Sequence, residues 1–133
     1  MKGLALDQND SSFRLFRNSI PLFRNDHSIF SEITFCGFEW DSIKNEANKK
    51  KHGISFENAI RVSNDPCLLE KYDALHSSHD EERYASLGLL DGIVILFISH
   101  TDRNGKIRII SARKAVKKEV KEYERHRKIL QTD

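Results

Sequence analysis

Two dipeptides constrain this chain more than any other feature. Asp91-Gly92 and Asn104-Gly105 separate three runs rich in β-branched and apolar residues, ERYASLGLL, IVILFISHTDR and KIRIIS. Asp-Gly and Asn-Gly accept the positive φ angles of a type I′ turn, whose twist matches the strands it joins. The spacing predicts a three-stranded antiparallel meander over roughly 82–90, 93–103 and 106–111.

Two-residue turns would also fix register, and register decides which side chains share a face. Leu90 would then face Ile93, and Arg103 would face Lys106. Extending both ladders places Glu82, Thr101 and Arg108 in one cross-strand row, with Arg103, Tyr84 and Ser99 on the same face. Arg83, His100 and Ile109 form the neighbouring row on the opposite face. Towards mid-sheet both faces are apolar, with Ile95 and Phe97 on one and Leu96 and Ile98 on the other, so both should be covered. One β-bulge would exchange the faces beyond it.

Helices flank the meander. Asp41 suits the N-cap of a helix over 42–51, and Gly53 suits its left-handed end. This run is polar almost all round, so it should lie on the surface, anchored by Trp40, Ile43 and Ala47. Ser55 caps a shorter helix over 56–62, and Asn64-Asp65-Pro66 breaks the chain. A last helix, about 112–130, has an apolar stripe at Ala112, Val116, Val120, Tyr123 and Leu130. Residues 1–36 keep no sustained period, and their four basic and four acidic residues cancel. They read as an extension with one short strand at 29–35, ahead of a single α+β domain over 37–133.

Charge is unevenly placed. From Lys106 to Lys128 there are ten Lys or Arg against three Glu, so this stretch carries +7 and the remainder −5 of a net +2. That asymmetry points to an anionic partner for the basic part. The two cysteines, Cys36 and Cys67, form neither a metal-spaced pair nor a disulfide scaffold, which fits a reducing cytoplasm. The start MKGLALDQND lacks a signal-peptide core, and no run reaches transmembrane length, so no membrane role is expected.

A carboxylate, a hydroxyl and two arginines at one end of a sheet suit phosphate chemistry. Arginine binds phosphate oxygens through a planar fork and stabilises charge that develops during displacement. Arg113, in the first turn of the last helix, would add that helix's free N–H groups to the anion site. Plainer readings account for the same residues: Glu82 and Arg108 as a cross-strand ion pair, the lysine-rich helix as a solvated face, and His52 as a helix-end contact. His76 and His79 lack the spacing of a metal site, and His126 lies in a charged, exposed helix.

Several segments together resemble a known family. FEWD at 38–41, KHGISFENA ending at Ala59, EERYASLG from Glu81, HTDRNGKIRIISARKA from His100, and Glu119 with Tyr123 look like the BrnT toxins of bacterial type II toxin–antitoxin systems. The resemblance covers about 38–124 and leaves the first 36 residues outside. It implies a compact RelE-like α+β domain, an antiparallel meander packed with two N-terminal helices and a basic C-terminal helix. It further implies an RNA-cleaving activity that inhibits translation. The implied partner is a BrnA-like ribbon–helix–helix antitoxin, in a heterotetramer that contacts operator DNA through the antitoxin. The motif positions carried over are His52, Glu82, Arg83, Arg103, Arg108 and Arg113. Ser63 departs from the pattern, which has an aromatic there.

The resemblance implies metal-independent attack of the RNA 2′-hydroxyl on its own phosphate, with no cofactor. Arg103, Arg108 and Arg113 would hold the phosphate. Glu82 or His52 would take the proton, and the other, or Arg83, would help the leaving group. Histidine is better matched by its pKa, and Glu82 better placed by the register. Lys49, Lys50, Lys51, Lys117 and Lys121 would add sequence-independent phosphate contacts. The rival reading is a non-catalytic basic module that binds an acidic protein or RNA.

Overall fold

The computed structural model describes residues 37–131. The strand expected at 29–35 and Cys36 lie outside that range. Five strands form one mixed sheet: β1 (Phe38–Glu39), β2 (Leu69–Tyr72), β3 (Arg83–Leu90), β4 (Val94–Arg103) and β5 (Lys106–Lys114). Their spatial order is β1-β5-β4-β3-β2, antiparallel except for the β1–β5 pair. Three helices complete the α+β fold: α1 (Ser42–His52), α2 (Phe56–Ala59), prolonged as a 3₁₀ turn over Ile60–Asn64, and α3 (Lys117–Gln131). Among the described residues no helix is long and apolar enough to cross a membrane.

The meander forms, but its first ladder is slipped by one residue from the expected register. Asp91 and Gly92 both have positive φ, and the Ile93 N–H bonds the Leu90 carbonyl at 2.9 Å, so the tight turn is present. Leu90 nevertheless pairs with Val94, and Ile93 is left over beside the turn. Gly88 gives a reason. It lies under the 3₁₀ turn, where a Cβ would sit 2.8 Å from both Val62 and Leu68. Only glycine permits that approach, and facing Gly88 this way turns Leu87 to the other side, opposite Phe97.

The second turn keeps its expected register, with Arg103 opposite Lys106 and His100 opposite Ile109. Ile110 is then an extra residue, and Ser99 pairs with Ser111. This bulge lets Ile109 and Ala112 both face one core, at 2% and 0% exposure, although strict alternation would separate them. It also brings Arg113 onto the same face as Arg108.

Each face of the sheet has its own core. On one, Leu96, Ile98, Ile107, Ile109 and Ala112 pack against Phe38, Ile54, Phe56, Ala59, Ile60, Val62 and Leu68. On the other, Leu87 packs with Cys67 and Tyr123, bordered by Leu69, Leu89, Ile95, Phe97 and Ala115.

Helix α1 is not anchored by Ile43 and Ala47, since Ile43 is 79% exposed and Ala47 is exposed too. Its buried residues are Asn45 and Asn48. Asn48 donates to the Ala112 carbonyl at 2.8 Å and the Ile54 carbonyl at 2.9 Å, and accepts from the Ala112 N–H at 3.2 Å. Asn45 accepts from the Phe56 N–H at 2.8 Å and donates to Glu57 at 2.9 Å. Strand β1 covers only Ile107 and Arg108 of the β5 edge, and Asn48 satisfies the buried backbone further along. Trp40 does anchor as expected, edge-on to Phe56 at 6.1 Å.

The chain beyond Ser111 also departs from expectation. β5 continues to Lys114, and α3 starts at Lys117. Ala112 and Arg113 are therefore strand residues, and the Ala115 N–H bonds the Ile95 carbonyl at 2.9 Å. Of the expected helical stripe, Ala112 is buried as a strand residue and Tyr123 as a helix residue, while Val116 and Leu130 stay 53% and 47% exposed. Tyr123 anchors α3 by donating to Asp65 at 2.6 Å, and the same carboxylate accepts from the Leu89 N–H at 2.8 Å and the Cys67 N–H at 2.9 Å.

Candidate active site on the arginine face

The slip and the bulge together gather the arginines. Arg83 pairs with Thr101, and Thr101 with Arg108, so two arginines flank one threonine across three strands. Neighbouring strands are about 4.8 Å apart, which puts the two arginine backbones roughly 10 Å apart. Arg103 lies one step along the same face in one direction. In the other come Ala85, Ser99 and Ser111, then Leu87, Phe97 and Arg113. Helix α3 covers the sheet from Leu87 onward, through Tyr123.

Every arginine of this face is held by a carboxylate. Arg83 Nε donates to Glu81 at 2.9 Å, and Arg103 lies 3.6 Å from the same carboxylate. Arg108 donates to Glu39 at 3.0 Å. Arg113 makes a bidentate pair with Glu119, at 2.8 and 3.0 Å, with its guanidinium carbon 4.2 Å from the Phe97 ring centre. Their side chains remain partly open, from 27% for Arg108 to 49% for Arg103. Four guanidiniums thus share three carboxylates on a half-open surface.

Glu119 does a second job. It accepts the Val116 N–H at 2.9 Å, capping α3. The Arg113 hydrogen bond and this backbone bond hold its carboxyl below the usual glutamate range. The anion site expected from Arg113 and the helix N-terminus is therefore organised otherwise: Arg113 comes from the strand, and a carboxylate of the chain already meets the Val116 N–H.

Glu82 is not in the Thr101–Arg108 row. The one-residue slip puts Arg83 there, and Glu82 accepts the Tyr84 hydroxyl at 3.0 Å. Tyr84 pairs with His100, on the opposite face from the arginines. Glu82 and Tyr84 line a cleft of about 390 Å³ with Asp80, Glu81, Asp102, Arg103 and Asn104. Burial pushes Asp102 up, and burial with the Glu82 bond pushes Tyr84 up. The glutamate among the arginines is Glu81. Its signal was the doubled Glu of EER, which register reasoning resolved the wrong way. Glu39 carried no signal of its own, because nothing local foretells a two-residue parallel strand beside Arg108.

His52 is half-buried at the end of α1. Glu39 lies beside Arg108 and Asn48 beside Ala112, so α1 runs in the direction of β5. One turn beyond Asn48, on the same side of the helix, His52 falls towards the Arg113 end of β5. Lys49, Lys50 and Lys51 are exposed in the last turn of α1, as are Lys117 and Lys121 on α3. His76 contacts Asp73 at 2.8 Å. His100 is buried, accepts or donates a 2.9 Å bond with Ser86, and stacks on Tyr84. Burial pushes its imidazole down to about 3, and the buried Glu70 carboxylate lies 4.0 Å from its Nε2.

Comparison with known proteins bears on this surface. No curated protein matches the chain. Among solved structures, the crystal structure of the Brucella abortus ribonuclease toxin, BrnT, matches at 22% identity and a TM-score of 0.42, covering 60% of this chain and 96% of that one. A family model described as the ribonuclease toxin, BrnT, of type II toxin–antitoxin systems matches residues 40–119. That span holds all four arginines of the face, with Glu81 and Glu119. It takes in more than half of the 133 residues, and the chain therefore belongs to the BrnT family of ribonuclease toxins of type II toxin–antitoxin systems.

Proposed function

We propose that this chain cleaves RNA by attack of a 2′-hydroxyl on the adjacent phosphate, without a metal, and thereby stops translation. The carrying observation is the Arg83–Thr101–Arg108 row, with Arg103 and Arg113 on the same face. An RNA phosphate would exchange for carboxylates of Glu81 and Glu39 and collect two or more guanidiniums. Those cations stabilise the charge that grows on phosphorus-bound oxygens during displacement. Proton transfer falls to His52, whose imidazole can both accept and donate a proton, with a glutamate as its counterpart. Glu81 is better placed for that than Glu82, and Arg83 assists the leaving oxygen. Lys49, Lys50, Lys51, Lys117 and Lys121 hold the flanking backbone through salt-sensitive contacts.

The acting unit in this reading is the domain over 37–133, in the cytoplasm, neutralised by a BrnA-like antitoxin in a heterotetramer. Operator DNA is contacted through that antitoxin. The test is incubation with end-labelled RNA in EDTA. New 3′ ends carrying 2′,3′-cyclic phosphate are expected; folded protein that leaves RNA intact, alone and with ribosomes, would overturn the reading. One observation favours a second reading, a non-catalytic binding module: every arginine of the face is already paired internally. In that case charge reversal at Lys117 and Lys121 weakens binding, and Arg108→Ala has no effect.

A further inference from the structure

Between Arg108 and Arg113 the face carries two hydroxyls side by side, Ser99 on β4 and Ser111 on β5. Both are half-buried. Neither hydroxyl is engaged by any hydrogen bond among the described residues. That sets them apart from the hydroxyls of Ser55, Ser63, Ser77, Ser86 and Thr101, each tied to a backbone or side-chain partner. The bulge at Ile110 produces the juxtaposition, because an unbroken ladder would turn Ser111 to the other face. Each flanking arginine row lies about 7 Å away along the strands, two residues of rise, within reach of an extended arginine side chain.

We propose that Ser99 and Ser111 form the floor of the phosphate subsite and donate hydrogen bonds to non-bridging oxygens of the scissile phosphodiester of a single RNA strand, with Arg108 and Arg113 flanking it. This rests on the ribonuclease reading above. In the step itself the bond from the 2′-oxygen to phosphorus forms and the bond from phosphorus to the 5′-oxygen breaks. The 2′-hydroxyl proton passes to the base, and the leaving 5′-oxygen gains a proton from the acid. The serines keep their protons. Hydroxyl donors fixed on two rigid strands need no reorganisation as charge develops, so they favour the transition state over the ground state.

The test compares wild type with the Ser99→Ala/Ser111→Ala double variant. It measures cleavage of a short fluorescent RNA, binding of its uncleavable 2′-O-methyl analogue, and Tm. We expect kcat to fall at least about 100-fold, the lower end of the range for losing one oxyanion donor. KM and analogue binding should stay within about threefold, Tm should be unchanged, and Ser99→Thr, which keeps the donor, should retain most activity. Should the double variant not fold, Ser111→Cys replaces it, with a similar volume and a weaker donor, and should likewise lower kcat. A kcat within twofold of wild type would overturn the serine assignment alone. Wild type that binds neither RNA nor analogue would overturn the ribonuclease reading, and this inference with it.

Discussion

The two faces of the sheet handle polar groups in opposite ways. On the α1 and α2 side, His100, Ser86 and Tyr84 are sealed in at 2%, 0% and 2% exposure, and burial pushes the imidazole's pKa down. On the other side, arginines one-quarter to one-half open are propped by carboxylates at the rim. A buried imidazole without access to solvent contributes packing and contacts within the core. A half-open guanidinium keeps its charge and can exchange its partner for a phosphate. Residue type alone therefore does not decide whether a polar side chain is open to a ligand in this fold. The face does, and adjacent positions such as His100 and Thr101 fall on different sides.

That contrast can be broken at its source. Deleting Ile110 removes the bulge, so Ile109 and Ala112 can no longer share a core and Arg113 turns away from Arg108. Loss of cooperative unfolding is expected, and a deletion variant with wild-type Tm would sink our account of the bulge. Next in size, Arg108→Ala should cut cleavage by about 10² to 10³-fold, while stability shifts by less than about 1 kcal/mol, because Arg108 and Glu39 form a partly open pair. Cleavage within a few-fold of wild type would remove Arg108 from the site.

Asn48→Ala tests the sealed side. It leaves the Ala112 N–H and carbonyl buried without partners, at a cost of about 2–4 kcal/mol, read from denaturant midpoints. A change below 0.5 kcal/mol, an order-of-magnitude threshold on the same scale, would mean that water replaces the amide. The smallest effect concerns pH. Arg113 and Val116 depress the Glu119 carboxyl in the folded state, so its contribution is complete above the unfolded value of 4.5 and is lost as pH falls through the lower folded value. Glu119→Gln should therefore be less stable at neutral pH yet flatter across that acid limb. Parallel acid curves for the two proteins would show that the pair adds nothing.

Much of this was legible beforehand. The tight turns at Asp91-Gly92 and Asn104-Gly105, the caps at Asp41 and Ser55, and the meander follow from local backbone preferences that act within four residues. Arg103 and Arg108 were legible on one face, but Arg83 was expected on the other face and Arg113 in the last helix. The Asn anchors of α1 were not legible, since Asn45 and Asn48 count as polar surface until a strand edge needs their amides.

Residue identity and short-range geometry thus fix the meander, its tight turns, the helix caps and the supply of guanidinium groups. The face each group occupies was decided by tertiary structure. Gly88 lying under the 3₁₀ turn shifts β3 by one residue, and the need to bury both Ile109 and Ala112 inserts the bulge in β5. Each is a one-residue change, and with a side-chain period of two a one-residue change reverses every face beyond it.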